Sequence, residues 1–351
     1  MTTDSTTTSD TTITEARSTR ATRTLGALGP VPALGLGCMA MSGMYGPADR
    51  AESIATIHAA LDAGIRLLDT GDFYGAGHNE MLIGEALRGL GSAGRDDVLL
   101  SVKFGAQRGP DGAWLGYDAS PAATKNALAY TLQRLGTDHI DVYRPARIDP
   151  RVPIEETVGA IAEMVQAGYV RHIGLSEVGA ETLRRAHAVH PISDLQIEYS
   201  LVTRTLEGPI LQTCRELGVG VTAYGVLSRG LISGHWTAQR GGIDDFRIHS
   251  PRFTGANLEV NLALVDTLGG VADPAGVTVA QAAIAWVLSR GDDIVPLIGA
   301  RTRERLAEAL VAWQTELEPA ALAAIEAAVP AEAVAGDRYD TYQMAQLDSE
   351  R

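Results

Sequence analysis

From about Arg23 onward, short apolar runs alternate with segments in which apolar residues recur every three or four positions. The first pattern reads as buried strand and the second as amphipathic helix. Strands are predicted at 33–38, 65–69, 98–103, 140–143, 172–175, 195–197, 219–223 and 294–297, with a helical pattern between successive members. Such alternation builds βα units around a parallel sheet, and eight units match a closed barrel. Helix stops are marked by Gly64, Gly136 and Gly168, and Ser120-Pro121 reads as an N-cap followed by a proline at the first helical position. No composition shift or linker divides the chain between Arg23 and Ala328, and no longer internal repeat is apparent. The expectation is one α/β domain, a (β/α)8 TIM barrel over 19–335, flanked by a disordered tail at 1–18 and a C-terminal tail at 336–351. Whether that last stretch folds back over the barrel, packs on a partner or frays is left open. Long insertions at 105–119 and 225–254 follow the third and seventh strands, so they are expected to cover a site at the catalytic face.

Composition narrows the partners. With 351 residues, 45% of them hydrophobic, the chain can bury a large core. A net charge of -14 and the lack of any Lys/Arg run argue against nucleic acid and lipid surfaces. Cys38 and Cys214 are too isolated for a disulfide framework or a Cys-rich zinc site, which fits a reducing cytoplasm. The N-terminal stretch has no apolar h-region, and the apolar run Val279–Leu288 is short and broken by Gln281, so a soluble chain without a membrane span is expected. No metal is expected, since His187 and His190 lack the glutamate and third ligand of a zinc site. Residues 89–94 match G-x-G-x-x-G, but they follow a helix and precede a strand, the reverse of a dinucleotide-binding turn.

Chemistry concentrates where predicted strands end. Asp69 and Tyr74 lie at the close of the second, in Leu67-Leu68-Asp69-Thr70-Gly71-Asp72-Phe73-Tyr74-Gly75, and Lys103 closes the third. A lysine there needs an anionic partner, and Asp69 is the natural one. Beside a tyrosine, Lys103 is expected to lower the phenol pKa and make Tyr74 a general acid able to protonate a carbonyl oxygen. Met39, Met41 and Met44, beside Tyr45, follow the first strand and suit the lining of an apolar pocket that Trp114 closes from the first insertion.

The ordered motifs DTGDFYG, SVKFG, RLGTDHIDVY, IGLSE, QIEYSL, AYGVLSRG and GARTRERLAEA resemble those of the aldo-keto reductases, over roughly Arg23 to Ala328. The resemblance implies carbonyl reduction or the reverse alcohol oxidation with NADP(H): Tyr74 donates the proton, Lys103 tunes it and Asp69 orients Lys103, while hydride comes from the nicotinamide. It also implies that Ser176 and Gln196 hold the carboxamide, that Tyr224 stacks on the nicotinamide, and that the pyrophosphate lies along Gly225, Val226, Leu227, Arg229 and Gly230. Arg301 and Arg305 would face the adenosine 2′-phosphate, with Gly37, Met39, Asp69, Ile298, Gly299 and Glu308 completing the cofactor site. The chain departs from the family at the fourth strand end, where Ala146 stands in place of the usual histidine. This implies weaker polarisation of simple aldehydes or an unusual substrate that supplies its own positioning contacts; Arg144, which shares strand parity with Ala146, is a candidate replacement donor in the substrate pocket, with water the alternative. Loss of the histidine also opens an alternative, an NADP(H)-binding sensor or assembly subunit with little turnover.

Overall fold

The computed structural model describes residues 22–237 and 245–351, so the expected disordered tail at 1–18 lies outside the described residues. Eight strands close a barrel: β1 (Gly35–Gly37), β2 (Leu67–Gly71), β3 (Leu99–Phe104), β4 (Ile140–Pro145), β5 (Val170–Ser176), β6 (Ile192–Glu198), β7 (Gly220–Tyr224) and β8 (Ile294–Gly299). Each pairs in parallel with its neighbours in sequence, and β8 returns to β1. Parallel strands need crossovers, and helices supply them here, from α1 (Arg50–Asp62) after β1 to α2 (Arg303–Gln314) after β8. Both faces of the sheet are therefore covered, which is why β2 and β6 are buried along their whole length.

The local signals act as read. The Ser120 side chain accepts from the Ala123 amide at 3.3 Å, with Pro121 opening the helix, and Gly136 ends that helix at φ 68°. The apolar run Val279–Leu288 is a helix buried from Ala280 to Val287, started by Thr278 and Gln281 bonding each other's backbone amides. Among the described residues, no single helix is long and apolar enough to cross a membrane.

All eight predicted strands are present, but the structure extends most of them at the carboxyl end. Ser176, Glu198 and Tyr224 are the last residues of three extended strands, while Asp69 and Lys103 end the predicted runs and lie one or two residues inside the observed strand ends. The first insertion forms a hairpin of Ala106–Arg108 and Trp114–Tyr117. The C-terminal stretch folds back over the mouth: the Gly179 amide donates to Asp348 Oδ2 at 2.8 Å, and the Ser349 amide donates to the Glu177 carbonyl at 3.2 Å.

Candidate active site

Parallel register sets Asp69 beside Ser101 and Gly71 beside Lys103, bringing the ends of β2 and β3 together. Lys103 Nζ lies 2.5 Å from Asp69 Oδ1, and Asp69 Oδ2 accepts from Gln196 Nε2 at 2.7 Å and Ser101 Oγ at 3.0 Å. Asp69 and Lys103 are both buried, so the carboxylate compensates the ammonium where water cannot. Burial lowers the Lys103 pKa, opposed by the charge and hydrogen bond of Asp69. Tyr74 sits on the turn after β2, its amide bonded to the Gly71 carbonyl, and Lys103 Nζ stands 5.1 Å from its ring centroid.

The Tyr74 phenol departs from the sequence expectation. Burial pushes its pKa well above the ordinary 10.0, the Asp69 carboxylate adds to this, and the cation that draws it down is Arg147. The reason is that Lys103 shares its charge with Asp69 at contact distance, so the field reaching the phenol from that side includes the anion as well. Burial thus favours the neutral phenol of Tyr74 over its phenolate.

A cavity of about 390 Å³ opens beside this triad. Its wall takes Asp69, Tyr74 and Lys103, then Gly37, Met39, Ser176 and Gln196, the run Tyr224, Gly225, Val226 and Leu227, Arg229 and Gly230, and finally Ile298, Gly299, Arg301, Arg305 and Glu308. Tyr45, Trp114 and Ala146 line it too. Backbone strain collects along one side, where Ser228 and Arg229 have φ of 46° and 56°. Arg229 keeps a buried Nη2 without a hydrogen-bond acceptor, 3.6 Å from Glu198 Oε2. Arg301 Nη1 reaches the carbonyls of Tyr45, Gly46 and Pro47, and Arg305 Nη1 stands 2.6 Å from His235 Nε2 and 3.2 Å from Glu308 Oε2.

Two expected pocket residues lie elsewhere. Met41 is buried in the main apolar core, because the chain after β1 forms a 3₁₀ turn over Met39–Ser42 rather than continuing the strand alternation that would have grouped Met39 with Met41. Arg144 does share parity with Ala146, but it sits one layer deeper, wholly inside the barrel. Its Nη1 donates to Asp194 Oδ2 at 2.9 Å and Thr222 Oγ1 at 3.3 Å, and Nη2 donates to Ser101 Oγ at 2.9 Å. Gly174 makes the room: a Cβ there would lie 2.7 Å from Asp194 Oδ1 and 3.0 Å from Arg144 Cζ. Closed in by Asp194, Arg144 cannot replace the missing imidazole.

Other wall residues were not singled out from sequence. Arg147, one residue past Ala146, donates from Nη1 to the Ala146 carbonyl at 2.6 Å and to Ser176 Oγ at 3.4 Å, and from Nη2 to Tyr339 Oη at 3.3 Å. Tyr339 and Gln343 arrive from the C-terminal stretch, and the Tyr339 ring centroid lies 4.2 Å from the Arg229 guanidinium. Tyr224 Oη donates to Glu177 Oε1 at 2.7 Å and lies 3.0 Å from Tyr339 Oη. No local signal marks Tyr339, since its neighbours are distant in sequence, whereas the position of Arg147 beside the anomalous Ala146 is a signal that could have found it.

The comparisons with known proteins bear on the barrel that carries this cluster and cavity. Residues 33–330 match the family model described as the aldo/keto reductase family. The chain belongs to that family. This aldo/keto reductase is 40% identical over 312 residues to "Probable aldo-keto reductase 1" of Glycine max, covering 88% of each. Its fold is similar to the glycerol dehydrogenase of Gluconobacter oxydans, with a TM-score of 0.78 and 30% identity, covering 88% of this chain and 94% of that one. It is also similar to an aldo-keto reductase of Klebsiella pneumoniae solved with NADPH, with a TM-score of 0.69 and 26% identity, covering 89% and 96% of the two chains.

Proposed function

We propose that the chain reduces an aldehyde or ketone with NADPH, or oxidises the corresponding alcohol, and that Tyr74 is its general acid and base. The observation carrying this reading is the assembly of Tyr74, Lys103 and Asp69 at the wall of the cavity that also takes in Arg229, Arg301 and Arg305. The donor set suits a phosphorylated dinucleotide. Arg229 holds an unused buried N–H, Arg301 and Arg305 line the same cavity, and a Cβ at Gly299 would meet nothing within 4 Å, leaving room for a ligand to lie close to the backbone. Ser176 and Gln196 offer polar atoms for the carboxamide, and Tyr224 a ring face for the nicotinamide. Gly225 to Gly230 would hold the pyrophosphate, and Arg301 and Arg305 would take the 2′-phosphate.

When bound, NADPH supplies the hydride. The protein contributes the proton: Tyr74, kept protonated by burial, donates from its hydroxyl to the carbonyl oxygen as negative charge develops there. Lys103 stabilises the resulting phenolate, and Asp69, bonded to Lys103, Gln196 and Ser101, fixes the lysine in place. The alternative of a cofactor-holding sensor or subunit gains no observation in its favour. NADPH oxidation across a panel of aldehydes and ketones tests the reading. Turnover by the wild type that collapses in Tyr74→Phe supports it, and tight NADPH binding with no turnover on any carbonyl would reject it.

A further inference from the structure

Of the six arginines among the described residues that line the cavity, Arg229, Arg247 and Arg305 face a carboxylate, whereas Arg108, Arg147 and Arg301 do not. Arg229 lies 3.6 Å from Glu198, Arg247 is bound to Asp245 and Arg305 to Glu308, and Arg301 is held on the groove side by backbone carbonyls. Arg147 has only neutral partners: a backbone carbonyl, the Ser176 hydroxyl and the Tyr339 hydroxyl. Among the described residues, no carboxylate comes within salt-bridge distance of it. Glu177, whose negative charge it feels, is already clasped by both terminal nitrogens of Arg338. A half-buried guanidinium with its charge uncompensated favours an anion that enters the cavity.

Its place decides what that anion is attached to. Arg147 follows Ala146 at the strand end that meets the triad, and its charge acts on the Tyr74 phenol. The methyl group of Ala146 takes less space than an imidazole, so a bulkier group can sit between the Tyr74 hydroxyl and Arg147. We infer, on the reductase reading, that the substrate is an oxo acid: its carbonyl oxygen meets Tyr74 while its carboxylate is held by Arg147. Its planar fork can take both oxygens of a carboxylate in one bidentate contact. Arg108, stacked over Trp114 on the hairpin at 5.7 Å, adds positive charge on the way in.

The test compares acid with ester. Rates of NADPH oxidation by the full-length protein are measured with 4-carboxybenzaldehyde against methyl 4-formylbenzoate, and with benzoylformate against its methyl ester, for wild type, Arg147→Met and Arg147→Lys. The acid-to-ester ratio of kcat/KM is expected to fall roughly 10- to 100-fold in Arg147→Met for at least one pair, the range of a charge-assisted hydrogen bond, and less in Arg147→Lys. An unchanged ratio in both pairs overturns the inference, whatever happens to the absolute rates. Calorimetric binding of 4-(hydroxymethyl)benzoate, the alcohol product of the first acid, repeats the comparison without turnover. A protein that reduces nothing yet loses this binding in Arg147→Met would reject the reductase reading and keep the anion subsite. A working reductase with unchanged ratios would reject the subsite alone.

Discussion

Arg338 closes on Glu177 with two parallel hydrogen bonds, Nη1 to Oε1 at 2.8 Å and Nη2 to Oε2 at 2.6 Å, and so pins the C-terminal stretch to the end of β5. Glu177 also accepts from the Glu198 amide, from Tyr224 Oη and from Ser349 Oγ, and it holds a non-glycine φ of 56°. A carboxylate with this many donors over-determines the strained backbone beneath it. It also ties the tail to the hydroxyl of Tyr224, so cavity shape and tail docking depend on one buried charge.

That charge makes stability depend on acid. Burial alone would raise the Glu177 pKa, but the charge and hydrogen bonds of Arg338, the charge of Arg147 and the Ser349 hydroxyl outweigh it and bring the value from 4.5 to about 2. Because the folded value lies below the unfolded one, the stabilisation is complete above pH 4.5 and is lost as pH falls toward 2. A shift of this size corresponds to about 3 kcal/mol. Urea unfolding followed from pH 7 down to pH 3 should show a steeper loss for wild type than for Glu177→Gln. Parallel curves would mean that the pair does not carry the acid sensitivity.

Tyr74→Phe should lower turnover by roughly 10²- to 10⁴-fold, the usual contribution of a positioned general acid, while NADPH binding, read by fluorescence titration, stays near wild type. Since burial holds the phenol well above 10.0, the reductive rate should not decline through loss of the Tyr74 proton anywhere below pH 10. A falling limb centred near neutral pH that disappears in Tyr74→Phe would contradict this.

The barrel was legible because its strands are buried on both faces and read as unbroken apolar runs, as at Leu67-Leu68 and Leu99-Leu100. The triad was legible because Asp69, Tyr74 and Lys103 each interrupt or follow such a run. Depth was not. Period-two alternation gives the face of a strand and not the layer within a barrel, so Arg144 and Ala146 looked equivalent although one faces Asp194 and the other the cavity. The Met41 error has the same root, since a 3₁₀ turn breaks the alternation one residue after the strand is left. Tyr339 reaches Tyr224 across 115 residues, a contact that no local pattern encodes.

Arg144 should matter for stability more than for chemistry. Arg144→Met leaves Asp194 buried with Thr222 Oγ1 as a remaining donor at 2.6 Å, and stranding one member of a buried ion pair costs about 3–5 kcal/mol. Urea unfolding should show a loss of that order, recovered in large part by adding Asp194→Leu. At temperatures where the variant is folded, its kcat should fall far less than that of Tyr74→Phe, because Arg144 bonds to the triad through Ser101 and otherwise acts on Lys103 only by its charge. Unchanged stability would mean that the polar layer inside the barrel is not held by this pair.

Cofactor choice should depend on Arg305 more than its position at the rim suggests. Its guanidinium lies against His235 and Glu308, and Glu308 also accepts from Thr278 Oγ1 at 3.1 Å, so the carboxylate orients the arginine without enclosing it. NADH lacks the 2′-phosphate this fork would bind, so Arg305→Ala should reduce kcat/KM for NADPH roughly 10- to 100-fold and leave NADH within a few-fold. Glu308→Gln leaves one acceptor oxygen where the carboxylate has two, so it loses part of the bonding to His235, Arg305 and Thr278, and it removes a negative charge next to the phosphate. It should therefore move the preference further toward NADPH, and steady-state kinetics with both cofactors on one aldehyde would show it. If both variants change NADPH and NADH equally, the phosphate is held elsewhere, with Arg301 the next residue to test.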